Sequence, residues 1–341
     1  MSGRLMAAEM AEQPVQLARL IGRFDEVAGL VRAVGPAPED LNGITIVARG
    51  SSDHAAVYGR YLLEAATGKP VSLAAPSLHT LYDVDVDYRG QLVIAVSQSG
   101  ATPEIVRTLE ALQHGGGRGL AITNEPDSPL ARAAHEALDL DVGEERAVPA
   151  TKTVTGQLTA FAILACALGT VPFSRRDLDA VPGWVQAVLD DPAPVAAAAV
   201  GLAGASQLII VARGYLFAAA LETALKIKET CSITADGYSA ADLRHGPIAA
   251  VTRGLPVVAM SKSGPALPDM SSLVDELRAR HATVLIVGDG PGADVSLPGD
   301  VPETLAPIVA VVRGQQLAYA LATALGRDPD SPAGLTKVTA T

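Results

Sequence analysis

The sequence predicts an α/β protein made of two tandem copies of one unit, each a mostly parallel sheet flanked by helices in three layers. Three observations carry this. First, three separate segments recur at a constant offset of 164 residues. Val47-Ala48-Arg49-Gly50 recurs as Val211-Ala212-Arg213-Gly214, Ser97-Gln98-Ser99-Gly100 as Ser261-Lys262-Ser263-Gly264, and Leu120-Ala121-Ile122 as Val284-Leu285-Ile286. A period this long excludes a solenoid and implies duplication of a whole unit, with a pseudo-two-fold relation between the copies. Second, short apolar runs alternate with helical stretches, the pattern of parallel strands covered on both faces. Third, a chain of 341 residues, 49% of them hydrophobic, has material for two cores at roughly 150 residues per domain.

The elements follow in order. Leu17, Leu20, Ile21, Phe24, Val27, Leu30 and Val31 recur at three- and four-residue intervals and predict one helix over 8–34, the main part of an N-terminal arm spanning 1–40. The first unit, 41–170, is expected to carry strands near 44–48, 71–74, 92–96, 119–122 and 137–141, with helices near 53–67, 102–114, 128–135 and 151–169. Pro172, Pro182, Pro192 and Pro194 mark 171–204 as a helical connector. The second unit, 205–326, is expected to carry strands near 207–212, 256–260 and 283–287 and helices near 216–230, 268–280 and 306–326, with a surface loop from Gly288 to Pro302. Pro329 and Pro332 exclude a regular helix in the tail, 327–341.

Composition narrows the function classes. A net charge of -11 with no Lys/Arg run argues against nucleic-acid binding. Cys166 and Cys231 lie in apolar helical patterns without metal or redox spacing, as expected for free thiols in a reducing compartment. The start, Met1 to Pro14, lacks a signal pattern, and no apolar run is long enough to span a bilayer, so a cytoplasmic location without membrane contact is expected. His54, His79, His114, His135 and His281 are scattered, and neither a metal nor a cofactor is expected.

Divergence between the copies points to function. After its first strand the first copy has Gly50-Ser51-Ser52 and after its third Ser97-Gln98-Ser99-Gly100-Ala101-Thr102. These turns open helices, where backbone amides and the helix dipole favour an anion. In the second copy Leu216 replaces Ser52, Lys262 replaces Gln98 and Ala266 replaces Thr102, so one anion site per chain is expected. Helix capping explains one hydroxyl in such a turn but not three. Lys226 and Glu229 share a helix face, as a surface ion pair or a catalytic pair would. His245 precedes Gly246-Pro247 in a loop, and a carboxylate with a histidine is what proton transfer beside a carbonyl needs. Lys337, flanked by Leu335 and Val338, is a tail charge that could dock and engage a carbonyl.

With these residues the chain resembles the tandem sugar isomerase (SIS) domains, in particular the isomerase half of glucosamine-6-phosphate synthase and the stand-alone glucosamine-6-phosphate deaminases of that fold. The matching segments are Gly50-Ser51-Ser52, the Ser97–Thr102 loop, Val148-Pro149-Ala150-Thr151-Lys152-Thr153, Ala224 to Glu229, Leu243-Arg244-His245-Gly246-Pro247 and Leu335-Thr336-Lys337-Val338-Thr339. The resemblance implies two flavodoxin-like sandwiches. It implies that Ser52, Ser97, Gln98, Ser99 and Thr102 hold a phosphate and that Val148 contacts the sugar. It implies further that Glu229 moves a proton between sugar carbons 1 and 2, that His245 opens the ring from the neighbouring subunit of a homodimer, that Lys337 engages the open-chain carbonyl, and that Lys226 sits beside the site. Ala150, and the absence of a serine after Lys337, depart from the synthase pattern. The expectation is therefore an isomerase engine without a glutaminase, converting glucosamine 6-phosphate to fructose 6-phosphate and ammonia. The alternatives are a ketose-aldose isomerase, a fructosamine-phosphate deglycase, an ammonia-fed synthase and a non-catalytic sugar-phosphate sensor.

Overall fold

The computed structural model describes residues 3–37 and 39–337. The expected tail is thus seen as far as Lys337, while Val338 to Thr341, with Met1, Ser2 and Pro38, lie outside the described residues. The chain folds as two units. The first comprises 15–144 and 152–174; the second takes 3–14, 145–151 and 175–337. The short segment 145–151 thus belongs with the second unit although it follows the first sheet in sequence.

The first unit opens with α1 (Arg4–Gly22), shared with the second unit up to Pro14, and α2 (Phe24–Val34). The single helix expected over 8–34 is broken at Arg23, whose φ of -89° and ψ of 17° leave the helical region. The Arg23 guanidinium donates to Glu26 at 2.6 Å and to the Asp139 carbonyl at 2.9 Å, which holds the break in place. The unit continues through β1 (Gly43–Val47), α3 (Ser51–Thr67), β2 (Val71–Leu73), α4 (Pro76–Thr80), β3 (Gln91–Val96), α5 (Pro103–His114), β4 (Arg118–Thr123), α6 (Pro129–Ala133), β5 (Glu136–Asp139) and α7 (Lys152–Leu168). Its sheet is fully parallel in the order β2-β1-β3-β4-β5.

In the second unit the expected connector forms α8 (Arg175–Leu189) and α9 (Ala193–Leu202). Then come β6 (Gln207–Ala212), α10 (Phe217–Cys231), β7 (Thr234–Ser239), α11 (Ala240–Arg244), β8 (Pro256–Met260), α12 (Leu267–Ala279), β9 (Thr283–Gly288), β10 (Val295–Ser296) and α13 (Ala306–Ala324). The order is β10-β9-β8-β6-β7, again parallel, which is the first sheet's order read from its other edge. The repeat seen in sequence is therefore a repeat of topology. Val47, Val93, Ala95 and Leu109 fill one core, and their partners at the repeat offset, Val211, Val257, Ala259 and Leu273, fill the other.

The strands β7 and β10 are not expected from sequence. β7 reads Thr-Ala-Asp-Gly-Tyr-Ser, with no apolar run, because it is an edge strand. A side chain at its Gly237 would meet the backbone of Leu221 at 2.9 Å, so glycine allows α10 to lie close against the strand. β10 is two residues long inside the expected surface loop.

Candidate functional site

In an open parallel sheet of order 2-1-3-4-5, ligands bind beyond the carboxyl ends of the strands where the order reverses. In the first unit that point lies between β1 and β3, and the turns leaving these strands carry Ser52 and Ser97–Thr102. Gly50 takes φ 59° and ψ -134°, which a side chain would strain, and this sharp corner starts α3 at Ser51. Ser52 is buried, and its hydroxyl accepts a hydrogen bond from Gln157 Nε2 of α7 at 3.0 Å.

The Ser97–Thr102 turn is shaped by its neighbours. Ser97 N donates to Ile122 O at 3.0 Å, and the Gln98 carbonyl accepts from Asn124 N at 3.0 Å and Thr123 Oγ1 at 3.2 Å. A side chain on Gly100, at φ 57°, would meet Ser128 Oγ at 2.1 Å. The Ser99 hydroxyl accepts from Ala101 N at 3.3 Å. Thr102 stands at the N-cap of α5, yet its side chain makes no capping hydrogen bond. Among the described residues the amides of Ser99 and Thr102 also make no hydrogen bond. Free hydroxyls and amides at the start of a helix can hold an anion. Arg49, the nearby cation in sequence, is already paired with Glu104 at 2.9 Å.

The second unit gathers charge. Along α10, Glu222, Lys226 and Glu229 share one stripe, with Lys226 Nζ 3.4 Å from Glu222 and 2.5 Å from Glu229. The surface pair that spacing allows is instead buried: Glu222 and Lys226 side chains are 1% exposed, Glu229 22%. Burial alone pulls the Lys226 ammonium down, but Glu222, Glu229 and Glu145 outweigh it and hold it above the ordinary lysine range. Among the described residues Glu229 Oε2 has no partner other than Lys226 Nζ.

The 145–151 segment brings a further carboxylate. The Glu145 side chain is fully buried and lies 2.7 Å from Lys337 Nζ, and it accepts from Thr151 N at 2.8 Å. Val148 is half-buried, and its amide donates to Asp330 O at 2.9 Å. Glu9 accepts the amides of Arg146 and Ala147. Burial raises the Glu9 carboxyl, and those two amides only partly offset the rise.

The structure therefore places Ser52, Ser97, Gln98, Ser99 and Thr102 together at the end of the first sheet, and gathers Lys226, Glu229 and Lys337 with Glu145 in the second unit. Among the described residues His245 bonds to neither set. It ends the short helix α11, is exposed, and its ring makes no hydrogen bond or ion pair among the described residues. Sequence reasoning missed Glu222, Glu145 and Gln157. Glu222 has a signal, since it lies one turn before Lys226 on the same face. Glu145 has none that separates it from the exposed Glu144. No group of three or more metal-ligating side chains occurs among the described residues, and no described helix is long and apolar enough to cross a membrane.

A duplicated five-stranded parallel sheet, with a turn of unbonded amides and hydroxyls at one switch point, defines a two-unit α/β protein. More narrowly, the chain belongs to the SIS domain family, which matches residues 39–167 and 201–301. It is 35% identical over 342 residues to the glutamine–fructose-6-phosphate aminotransferase [isomerizing] of Methanothermobacter thermautotrophicus, covering 97% of this chain and 56% of that protein. The chain thus spans about half the length of the curated relatives it matches. Among solved structures it is similar to the C-terminal domain of glucosamine-fructose-6-phosphate aminotransferase from Francisella tularensis, with TM-score 0.85, 26% identity and coverage of 96% and 98% of the two chains. It shares its fold with glucosamine-6-phosphate deaminase from Thermotoga maritima, with TM-score 0.81, 24% identity and coverage of 98% and 99%.

Proposed function

We propose that the chain is an amino-sugar-phosphate deaminase-isomerase that converts glucosamine 6-phosphate to fructose 6-phosphate and ammonia. The observation that carries this reading is the buried Glu222-Lys226-Glu229 stripe with only Glu229 partly open. A buried ammonium held between two carboxylates fixes one of them, Glu229, as an aimed proton acceptor. A sugar phosphate has an anionic end and a carbonyl end, and the chain carries a turn suited to the first and a proton-transfer cluster suited to the second.

In this reading the hydroxyls of Ser52, Ser97, Ser99 and Thr102, with Gln98, take the phosphate, and Val148 lies against the sugar. His245, supplied by a second copy of the chain, opens the ring. Glu229 removes the proton at carbon 2 and returns it at carbon 1, which turns the carbon 2 amine into an imine. Water hydrolyses that imine to the ketone and ammonia, while Lys337 engages the open-chain carbonyl. The synthetic direction, from fructose 6-phosphate and free ammonia, uses the same proton transfer and is favoured by the names of the relatives.

Incubation with fructose 6-phosphate and ammonium in deuterated water tests the proton transfer that both directions share. The expected result is one deuterium at carbon 1, lost in Glu229→Gln; a sugar phosphate that binds but never exchanges would leave a sensor as the reading. The expected dimer has its own test. Mixing the separately inactive His245→Ala and Glu229→Gln chains should restore up to about a quarter of the native rate, because half the dimers are hybrids with one intact site of two. No recovery would place His245 in its own chain's site.

A further inference from the structure

The proposed reaction uses Lys226, Glu229, His245 and Lys337 and leaves without a part a fully buried carboxylate that acts on both lysines. The Glu145 side chain is 0% exposed, and a carboxylate so deep persists only when it is paired and hydrogen-bonded. Its two oxygens are divided. One lies 2.7 Å from Lys337 Nζ; the other accepts Thr151 N at 2.8 Å and Thr151 Oγ1 at 3.4 Å. Thr151 is itself anchored, because its carbonyl accepts Gln315 Nε2 of α13 at 3.1 Å. The Lys337 side chain is 24% exposed, with its amine held against Glu145.

We infer that Glu145 is the positioning residue for Lys337, holding its nitrogen toward the carbonyl carbon of the open-chain sugar and supplying its counter-charge throughout. The inference rests on the proposed function. Condensation of an ammonium with a carbonyl forms the C=N bond, breaks the C=O bond and releases water; both ammonium protons that are lost leave in that water. The nitrogen therefore carries one positive charge before and after, first as ammonium and then as iminium. A fixed carboxylate at 2.7 Å balances it at both stages, and between them it can hold the one proton that must leave the nitrogen to free its lone pair and that departs in the water. Glu145 also acts on Lys226, so one buried charge steadies both lysines of the cluster.

The test compares the native chain with Glu145→Gln, which keeps the shape and removes the charge, and Glu145→Asp, which keeps the charge and shortens the reach. Borohydride added with fructose 6-phosphate traps an imine as a stable mass increase on the Lys337 peptide. The expected result for Glu145→Gln is trapping and kcat reduced about tenfold or more with KM within about twofold, since a buried charge-assisted contact is lost while phosphate binding is kept. Glu145→Asp should recover part of both. A second readout needs no sugar and no variant: under brief reductive methylation Lys337 of the native chain should react more slowly than the exposed Lys228. Equal trapping in native and Glu145→Gln chains, or a rise in KM with kcat unchanged, overturns the inference alone. A native chain that condenses with no ketose or amino-sugar phosphate overturns the proposed function and the inference with it, unlike the first outcome.

Discussion

The turn Ser97–Thr102 and the turn Ser261–Ala266 leave equivalent strands of two sheets with one strand order, yet the first is open and the second is filled by its own chain. In the first, the amides of Ser99 and Thr102 are unbonded among the described residues. In the second, the amide of Ser263 donates to Asp289 at 2.9 Å and that of Ala266 to Glu303. Lys262, in the place of Gln98, is buried and paired with Asp289 at 2.5 Å. Leu216, in the place of Ser52, is buried too. Two carboxylates thus occupy in the second turn the kind of donors that an incoming anion would use in the first. Duplication supplied two equal frames, and side-chain changes turned one into a self-satisfied strut. The second unit's buried charges gather instead on α10 and on the 145–151 segment.

The contrast can be broken or sharpened by substitution. The largest effect is expected in the filled turn. Lys262→Met leaves Asp289, whose side chain is 5% exposed, without its cation, and should lower stability by about 3–5 kcal/mol. Thermal or urea unfolding reads this loss, and KM for the sugar phosphate should not move. A changed KM would mean that the second turn also meets substrate. In the open turn, Thr102→Val should raise KM about tenfold with little change in unfolding, because a hydrogen bond to a charged group contributes about 1.5–3 kcal/mol. A large drop in melting temperature instead would mean that Thr102 serves the fold. The smallest effect concerns Glu303, whose carboxyl is raised above 4.5 mainly by burial, with the Ala266 amide and Lys262 opposing. The folded chain holds this proton more tightly than the unfolded one, so stability declines as pH rises from 4.5 through the raised folded value. Glu303→Gln should flatten that decline, as urea midpoints across the range would show.

Much of this contrast is legible in sequence. The offset between copies, the buried strands β1, β3, β4, β6, β8 and β9, and the loss of hydroxyls in the second turn need only the residue types. What sequence hides is pairing. Asp289 and Glu303 read as loop acids until the fold brings them under the second turn. Glu145 and Glu144 are adjacent and identical in type, and only the fold buries one and exposes the other. Edge strand β7 lacks the apolar run that marks its buried neighbours. Lys226 looks like half of a surface pair because spacing carries no information about depth.

The central claim is that the open turn binds a sugar phosphate for proton transfer by Glu229. Its most direct test is simultaneous detection of ammonia and fructose 6-phosphate released from glucosamine 6-phosphate, with Glu229→Gln in parallel. The account predicts both products in equal amounts from the native chain and a rate about 10³-fold lower from the variant, within the range that general acid-base catalysis contributes. Neither product from a folded native chain, or both at an undiminished rate from the variant, would contradict it.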